Sequence, residues 1–160
     1  MPTKASVTPL AERVLDAETR VSQRLADGNE LCVEWRGDFE NNEINALHAV
    51  CFEHPISDYD WAAKLDRFSL GWTCARQSEK LVGFVNVAWD GGVHAFILDT
   101  MVDPSLQRHG VARRLITLAI DGSRQAGCDW LHVDFEASLR PFYLESCGFR
   151  PTDAGVLPLK

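Results

Sequence analysis

The stretch that decides the fold reads Val102-Asp103-Pro104-Ser105-Leu106-Gln107-Arg108-His109-Gly110-Val111-Ala112-Arg113. An apolar strand ends where Asp103-Pro104 begins, and a helix is predicted to start near Gly110. The small side chains of Gly110 and Ala112 let an anion approach the backbone closely, and the N–H groups and dipole of a helix start favour a phosphate group. The cationic side chains around this loop are those of Arg108, His109, Arg113 and Arg114. The stretch therefore predicts a site for a phosphate-bearing ligand.

The same residues leave the identity of the ligand open. The pattern GxxxxGK[ST] of nucleotide-binding loops is missing, and no GxGxxG follows a strand. A Walker-type nucleotide site and a dinucleotide fold are therefore disfavoured. The alternative is a plain strand–loop–helix crossover in which the glycine serves packing alone.

The remaining pattern alternates strands with helices. Strands are predicted over 31–35, 71–76, 81–89, 93–102 and 130–135, and helices over 43–52, 58–68, from Gly110 to Gly127, and over 138–147. A last extended segment begins at Gly148. The order indicates an α/β (α+β) fold with a mixed sheet, in which antiparallel strands come first and a βαβ crossover surrounds the Gly110 helix.

Residues 1–29 are predicted to form an N-terminal helical extension, and residues 30–160 the main domain. The apolar stripe of the extension consists of Leu10, Val14, Ala17, Val21 and Leu25, and Gly28 would end the helix. This helix could pack on the domain itself or on a second subunit of a homodimer. The alternative is a frayed extension that packs on neither.

Composition excludes several classes of function. The 160 residues carry a net charge of −7 and no Lys/Arg cluster, which argues against non-specific binding to nucleic acid. No apolar run is long enough to span a membrane and no secretory signal is evident, so the expected compartment is the cytoplasm. The five cysteines form no CxxC pair and the histidines show no ligand spacing, so no metal site is predicted.

Two motifs resemble those of a known family. Gln107-Arg108-His109-Gly110-Val111-Ala112 resembles the acetyl-CoA motif Q/R-x-x-G-x-G/A of the GNAT superfamily of N-acetyltransferases. Downstream, Phe142-Tyr143 with Cys147-Gly148-Phe149 resembles that family's Phe-Tyr…Gly-Phe signature. The order and separation of the two motifs also agree, and the resemblance covers about residues 30–155.

The resemblance implies a GNAT-like acyl-CoA N-acyltransferase fold, in which the fourth and fifth strands of the domain splay apart to admit the pantetheine arm of acetyl-CoA. The backbone along that arm would be that of Thr100, Met101 and Val102. The pyrophosphate would lie on the loop and helix start formed by Gln107, Arg108, His109, Gly110, Val111, Ala112 and Arg113. Glu136 stands where many members have an asparagine that contacts the coenzyme, which puts that contact in doubt.

Catalysis in the family proceeds by direct attack of a substrate amine on the thioester, and the resemblance assigns Tyr143 as proton donor to the leaving thiolate. The family usually has three residues between this tyrosine and the Gly-Phe glycine, whereas this chain has four. We place the extra residue at the helix end. The alternative alignment puts Leu144 in the tyrosine position and leaves no acid.

The general base is left between candidates. Strict alternation along residues 93–102 puts Asp99 on the face of Ala95, Ile97 and Met101, and His94 on the other. On the next strand His132 and Asp134 share a face. Histidine is the residue type whose ordinary pKa lies near the working range, whereas an ordinary carboxylate is a weak base for an ammonium. Each of these groups also has a purely structural interpretation.

The sequence thus predicts an acetyl-CoA-dependent N-acetyltransferase that acts on a primary amine. A non-catalytic acyl-CoA-binding sensor module is the main alternative, because it would keep the Gly110 loop. A toxin-like transferase acting on aminoacyl-tRNA is disfavoured by the missing basic patch.

Overall fold

The computed structural model describes residues 20–25 and 28–160. Within these residues six strands form one sheet in sequence order: β1 Arg20–Arg24, β2 Glu30–Trp35, β3 Ser69–Gln77, β4 Lys80–Trp89, β5 His94–Val102 and β6 Trp130–His132. Neighbours from β1 to β5 pair antiparallel, and β6 pairs parallel to β5. The predicted mixed sheet with a βαβ crossover is confirmed.

In the described part of the chain three α-helices flank the sheet: α1 Asn41–Cys51, α2 Trp61–Phe68 and α3 Val111–Gln125. Glu40 and Glu43 form a capping box that starts α1. The side chain of Asp60 accepts a hydrogen bond from the N–H of Ala63, so α2 begins after Asp60 and not at Asp58 as the pattern predicts. In both cases a polar side chain that binds a free first-turn N–H group fixes the helix start.

The helices bury two separate apolar clusters, one on each side of the sheet. On one side α3 packs Leu115, Ile116 and Ala119 against Val85 and Val87 of the sheet, among others. On the other side α1 and α2 cover a cluster that contains Ile44, Leu47, Trp61, Leu65, Phe84 and Met101. We call these the α3 side and the α1–α2 side. No helix within residues 20–25 and 28–160 is long and apolar enough to cross a membrane.

The predicted N-terminal helix is wrong for the part that the structure describes. Val21 lies in β1, which pairs with β2 from Arg20 opposite Glu34 to Arg24 opposite Glu30. Backbone hydrogen bonds between residues 25 and 29 close the turn that follows. Interstrand hydrogen bonds here outweigh a helical spacing of apolar residues. Residues 1–19, with the rest of the stripe, lie outside the described residues.

The C-terminal part also departs from the prediction. Strand β6 ends at His132, short of residue 135, because its pairing with β5 ends there. The helix predicted over 138–147 is divided into a 3-10 turn, Ala137–Leu139, and a π-helical segment, Pro141–Ser146. Residues 148–160 form neither helix nor strand.

A buried tryptophan joins α3 to the sheet through two glycines. The indole ring of Trp35, on β2, lies between Gly71 of β3 and Gly122 of α3. A Cβ atom added at Gly122 would lie 2.5 Å from this ring, and one added at Gly71 would lie 2.3 Å from it. The close approach of α3 to β3 therefore requires both positions to lack a side chain.

This contact predicts that Gly122→Ala destabilises the protein. Alanine in mid-helix ordinarily gains about 1 kcal/mol over glycine, but overpacking against Trp35 should outweigh that gain and lower the free energy of unfolding by about 1–3 kcal/mol. Urea denaturation measures the change. Gly155→Ala is the control, because a Cβ there meets nothing within 4 Å. An unchanged or higher stability of Gly122→Ala would show that Trp35 is free to move aside.

Candidate active site

The loop before α3 is held by hydrogen bonds within the loop itself. Asp103 accepts hydrogen bonds from the backbone N–H and the hydroxyl of Ser105, at 3.0 and 2.7 Å, and from Lys80 Nζ at 2.8 Å. A 3-10 turn, Pro104–Leu106, follows. These bonds hold the pKa of the Asp103 carboxyl at about 2, chiefly through Lys80 and then through Ser105. The carboxylate is therefore charged and fixes the entrance to the loop.

Gly110 is the N-cap of α3 and adopts the left-handed conformation, with φ 78° and ψ 8°. Residues 107–110 are exposed. In the described part of the chain, no backbone hydrogen bond uses the N–H groups of Val111, Ala112 and Arg113. These free N–H groups lie at the positive end of the α3 dipole. The N–H groups of Val111, Ala112 and Arg113 are therefore available to an anion, whereas the N–H of His109 already donates to the carbonyl oxygen of Leu106 at 3.4 Å.

The sequence places Arg114 among the cationic side chains around the loop, but in the structure its guanidinium is bonded within the protein. Its guanidinium donates to the carbonyl oxygen of His109 at 3.3 Å and also to the side chain of Gln23 in β1. These bonds tie the loop to the sheet edge. Arg113 is exposed beside the free N–H groups and is the better placed of the two for an anion.

A β-bulge interrupts the pairing of β5 with β4. Asn86 lies opposite Leu98 and Phe84 lies opposite Met101, so two residues of β5 face one residue of β4. Asp99, inside the bulge, has a φ of 51°. Such a bulge shifts the alternation of side chains by one residue.

The bulge makes the predicted face of Asp99 wrong in part. Ala95 and Ile97 pack on the α3 side, whereas Met101 packs on the α1–α2 side. Asp99 contacts Lys64 of α2 and therefore shares a side with Met101 but not with Ala95 and Ile97. Strict alternation missed this because it assumes a regular strand.

Beyond the bulge, one edge of β5 is open. Strand β6 pairs with β5 only through His94, Ala95 and Phe96. Among the described residues no strand lies beside residues 97–102 on that edge. These two strands are the fourth and fifth of the predicted domain, so the opening lies where the resemblance implies it.

Tyr143 lies at this opening. Its hydroxyl donates to Thr100 Oγ1 at 3.3 Å, and its ring stacks on Phe135 with 4.8 Å between centroids. Burial raises the pKa of the Tyr143 hydroxyl above its usual value, and the hydrogen bond to Thr100 opposes that rise. The phenol is therefore protonated at neutral pH and close to the strand edge.

The π-helical segment explains how Tyr143 keeps this position despite the extra residue before Gly148. The N–H of Cys147 donates to the carbonyl of Phe142, five residues earlier, at 3.0 Å. A π-turn holds one more residue than an α-turn and is common at functional sites. The chain thus absorbs the extra residue within the turn, and it is Tyr143 whose side chain reaches β5.

On the α1–α2 side, Asp99 belongs to a polar network. Lys64 Nζ and Asn86 Nδ2 both donate to Asp99 Oδ2, at 2.9 and 3.1 Å, and the hydroxyl of Ser69 donates to Asn86 Oδ1 at 2.6 Å. Lys64 Nζ also lies 4.3 Å from the ring centroid of Trp61. Among the described residues, no hydrogen bond uses Asp99 Oδ1.

His132 is not brought together with Thr100 and Tyr143. It lies opposite Phe96, four residues before Thr100 along β5, which corresponds to roughly 13 Å. There its Nε2 atom is 2.7 Å from His94 Nδ1, and its ring stacks on Phe96.

The sequence did not single out Lys64 and Asn86 as neighbours of Asp99, nor His48 as a neighbour of this network. Lys64 is 35 residues from Asp99, and helix packing alone joins them. His48, in α1, packs on Trp61 with 5.5 Å between ring centroids. A lone histidine and a lone lysine on amphipathic helices carry no motif, so no sequence signal could have found them.

A separate cleft of about 770 Å³ begins at Gly110 and Arg113 and follows α3. Val21 and Val33 line it, so it runs along β1 and β2, at the far end of the sheet from the β5–β6 opening. The candidate site is therefore defined by the free N–H groups and the strand opening. The cleft meets this site only at Gly110 and Arg113 and then leads away from the opening. No group of three or more His, Cys, Asp or Glu side chains in the described part of the chain could hold a metal ion.

Comparisons with known proteins show the family and the fold. Residues 34–149 match the statistical model of the "Acetyltransferase (GNAT) family". No protein of curated function matches the sequence significantly.

Solved structures share the fold at low sequence identity. An acetyltransferase of Trypanosoma brucei is 23% identical with a TM-score of 0.63, and the match covers 79% of this chain and 98% of that one. An aminoglycoside N-acetyltransferase solved in complex with CoA is 18% identical with a TM-score of 0.65, over 83% and 96% of the two chains. A glucosamine-6-phosphate N-acetyltransferase of Arabidopsis thaliana is 11% identical with a TM-score of 0.63, over 80% and 99%.

The bonds to Asp103 predict that Asp103→Asn lowers the free energy of unfolding by about 1–2 kcal/mol at pH 7, after allowance for the exposure of Lys80. The folded-state pKa is depressed, so the stabilisation is present above about pH 4 and is lost as the pH falls through about 2. Urea denaturation at pH 7 measures the loss, and carboxyl-carbon NMR titration measures the pKa. Asp153→Asn, in the exposed C-terminal segment, is the control. A titration midpoint of Asp103 near 4 would contradict the prediction.

Proposed function

The chain belongs to the GNAT acetyltransferase family, and we propose that it transfers the acetyl group of acetyl-CoA to a primary amine of a small molecule, peptide or protein. Membership of the family makes it an acetyl-CoA-dependent acyltransferase. The observation that carries the proposal is the set of free N–H groups at the start of α3 beside an open edge of β5. An anion site and a strand opening together suit a coenzyme with a diphosphate and a long thiol arm.

The coenzyme is proposed to bind along β5 and the loop before α3. The pantetheine arm would follow the backbone of Thr100, Met101 and Val102, whose edge is free for hydrogen bonds. The diphosphate would accept hydrogen bonds from the N–H groups between Arg108 and Arg113, with Arg113 adding positive charge. The remaining contacts would come from Gln107, His109, Gly110, Val111 and Ala112.

The chemistry has three requirements. A lysine-like amine of pKa ~10.4 must lose a proton, which costs about 4.6 kcal/mol at pH 7. The carbonyl oxygen needs a fixed donor, and we propose a backbone N–H near Met101, on the edge of β5 that β6 leaves unpaired. The sulfur needs a proton as it leaves, and the protonated hydroxyl of Tyr143 at Thr100 supplies it.

The amine would approach from the α1–α2 side. Asp99 and Thr100 are neighbours in the bulge, but Asp99 contacts α2 whereas Thr100 contacts Tyr143. Both hydrogen bonds to the Asp99 carboxylate from the described residues use Oδ2, so its Oδ1 atom is free to attract the ammonium group of the amine. Asp99 is engaged with Lys64, and the distance of His132 from Thr100 counts against that residue, so neither is assigned as the base here.

Gly110→Ala is expected to weaken CoA binding at least tenfold. An alanine Cβ would lie 2.9 Å from Arg114 Nη1 and would disfavour the left-handed conformation that exposes the N–H groups. Calorimetric titration with CoA measures the loss. Gly127→Ala is the matched control, because Gly127 has the same conformation at the other end of α3 and open space around it. Equal affinities of both variants for CoA would contradict the placement of the diphosphate.

Tyr143→Phe is expected to lower kcat by about 10²–10⁴-fold and to leave the Kd for CoA unchanged, because the ring stays in place and only the proton donor is lost. Thiol release from acetyl-CoA, screened against polyamines, amino acids, aminoglycosides and peptides, measures turnover. Tyr59→Phe removes the hydroxyl of an exposed tyrosine and serves as the control. A wild-type protein that binds CoA but releases no thiol with any amine would support a sensor instead.

A further inference from the structure

His48 lies beside the acceptor side of β5. It belongs to α1, and one turn later Cys51 Sγ contacts the carbonyl oxygen of Val102 at 3.4 Å, so this face of α1 runs along the bulged end of β5. The ring of Trp61 contacts both His48 and Lys64, and Lys64 pairs with Asp99. His48 is half-buried among these groups.

The hydrogen bonds around His48 fix where its proton lies. His54 Nδ1 is 2.7 Å from the carbonyl oxygen of Pro55, which only accepts, so Nδ1 of His54 carries a proton. Neutral His54 therefore has a lone pair on Nε2. That atom is 2.6 Å from His48 Nδ1, which must donate to it. Neutral His48 thus has its proton on Nδ1 and a free lone pair on Nε2.

Burial keeps this imidazole neutral. It is the largest influence that lowers the pKa of His48; the charge of Lys64, and that of His54 whenever its ring is protonated, lower the pKa further, against the opposing charge of Asp99. Cys51, one turn along α1, adds no charge because burial raises the pKa of its thiol. The imidazole of His48 is therefore in its neutral form at pH 7, with a proton on Nδ1 and none on Nε2.

We propose that His48 is the general base that accepts the proton of the acceptor amine at Nε2, and that His54 is a positioning residue that fixes its tautomer. This inference rests on the proposed acetyl transfer and names the residue that the reaction still lacks. Asp99, on the same side, would attract the ammonium and later stabilise the imidazolium.

The proton balance closes with groups that the site contains. An N–H bond of the ammonium breaks and its proton moves to His48 Nε2. The freed lone pair forms the N–C bond, and the C–S bond breaks with its electron pair on sulfur, which takes the proton of Tyr143. The second amine proton returns through solvent to the Tyr143 phenolate, and His48 releases its proton to solvent. The net products are the amide, CoA and one proton.

The pH dependence of His48→Gln tests the assignment, with acetyl-CoA and the fastest amine of the thiol-release screen. Wild-type kcat/KM should rise up to the His48 pKa, below 6.5, and then level. The variant should be about 100-fold slower at pH 7. Its rate should rise tenfold per pH unit towards the amine pKa of ~10.4, because only the neutral amine then reacts. The Kd for CoA should be unchanged.

Val50→Gln is the control for α1, since Val50 is exposed on the same helix, two residues from His48. An active wild type whose His48→Gln variant keeps both its rate and its level pH profile would overturn the assignment and leave the proposed function standing. Transfer of the pH effect to His132→Gln would also overturn it. A wild type that neither binds CoA nor releases thiol would instead defeat the proposed function itself.

The tautomer gives a second readout that needs no acceptor. Nitrogen-15 NMR of the histidine rings at pH 7 should show His48 neutral with its proton on Nδ1, and His54 with a proton on Nδ1. His54→Leu should release the His48 tautomer and lower kcat about tenfold, whereas His54→Gln, whose side-chain oxygen can still accept the bond, should restore both. A charged His48, or one protonated on Nε2, would contradict the proposal.

Discussion

The β-bulge at Asp99 is the constraint on which the site depends. A regular strand would direct Asp99 towards α3, where an apolar cluster has no place for a carboxylate. The extra residue instead directs Asp99 towards Lys64 and leaves its neighbour Thr100 beside Tyr143. One irregularity in the backbone thereby places Thr100 against the Tyr143 hydroxyl on one side of the sheet and the Asp99 carboxylate on the other side.

The anion site proposed at the start of α3 depends on a different irregularity, the left-handed Gly110. A helix start offers free N–H groups wherever it occurs, but they are useful only if nothing covers them. Here the Asp103 bonds hold the preceding turn, and Arg114 anchors the loop to the sheet edge. Trp35, inserted between Gly71 and Gly122, sets the distance of α3 from the sheet. The loop is therefore open to a ligand and still fixed in position.

The acceptor side combines residues from three elements that are distant in sequence. His48 comes from α1, Lys64 from α2 and Asp99 from β5, and the ring of Trp61 contacts the first two. His48 is half-buried beside the charges of Lys64 and Asp99, so its protonation state depends on the packing of α1 and α2 over the sheet. On the other side of β5, burial raises the pKa of the Tyr143 hydroxyl, the group proposed as the acid, independently of these residues.

Local sequence determined the glycine-containing loop before α3, where we propose that the coenzyme binds, and most of the strands and helices, because glycine at a helix start, apolar periodicity and the two family motifs act over a few residues. It also placed Tyr143, although it could not show that a π-turn absorbs the extra residue. Tertiary structure decided the features that depend on non-local contacts. Residues 20–24 form a strand where the end of a helix was predicted, and β6 is shorter than predicted. Packing also decided the side of the sheet on which Asp99 lies and brought His48, Lys64 and Asp99 together. Pairing and packing free energies of distant segments fix these features, and no local pattern encodes them.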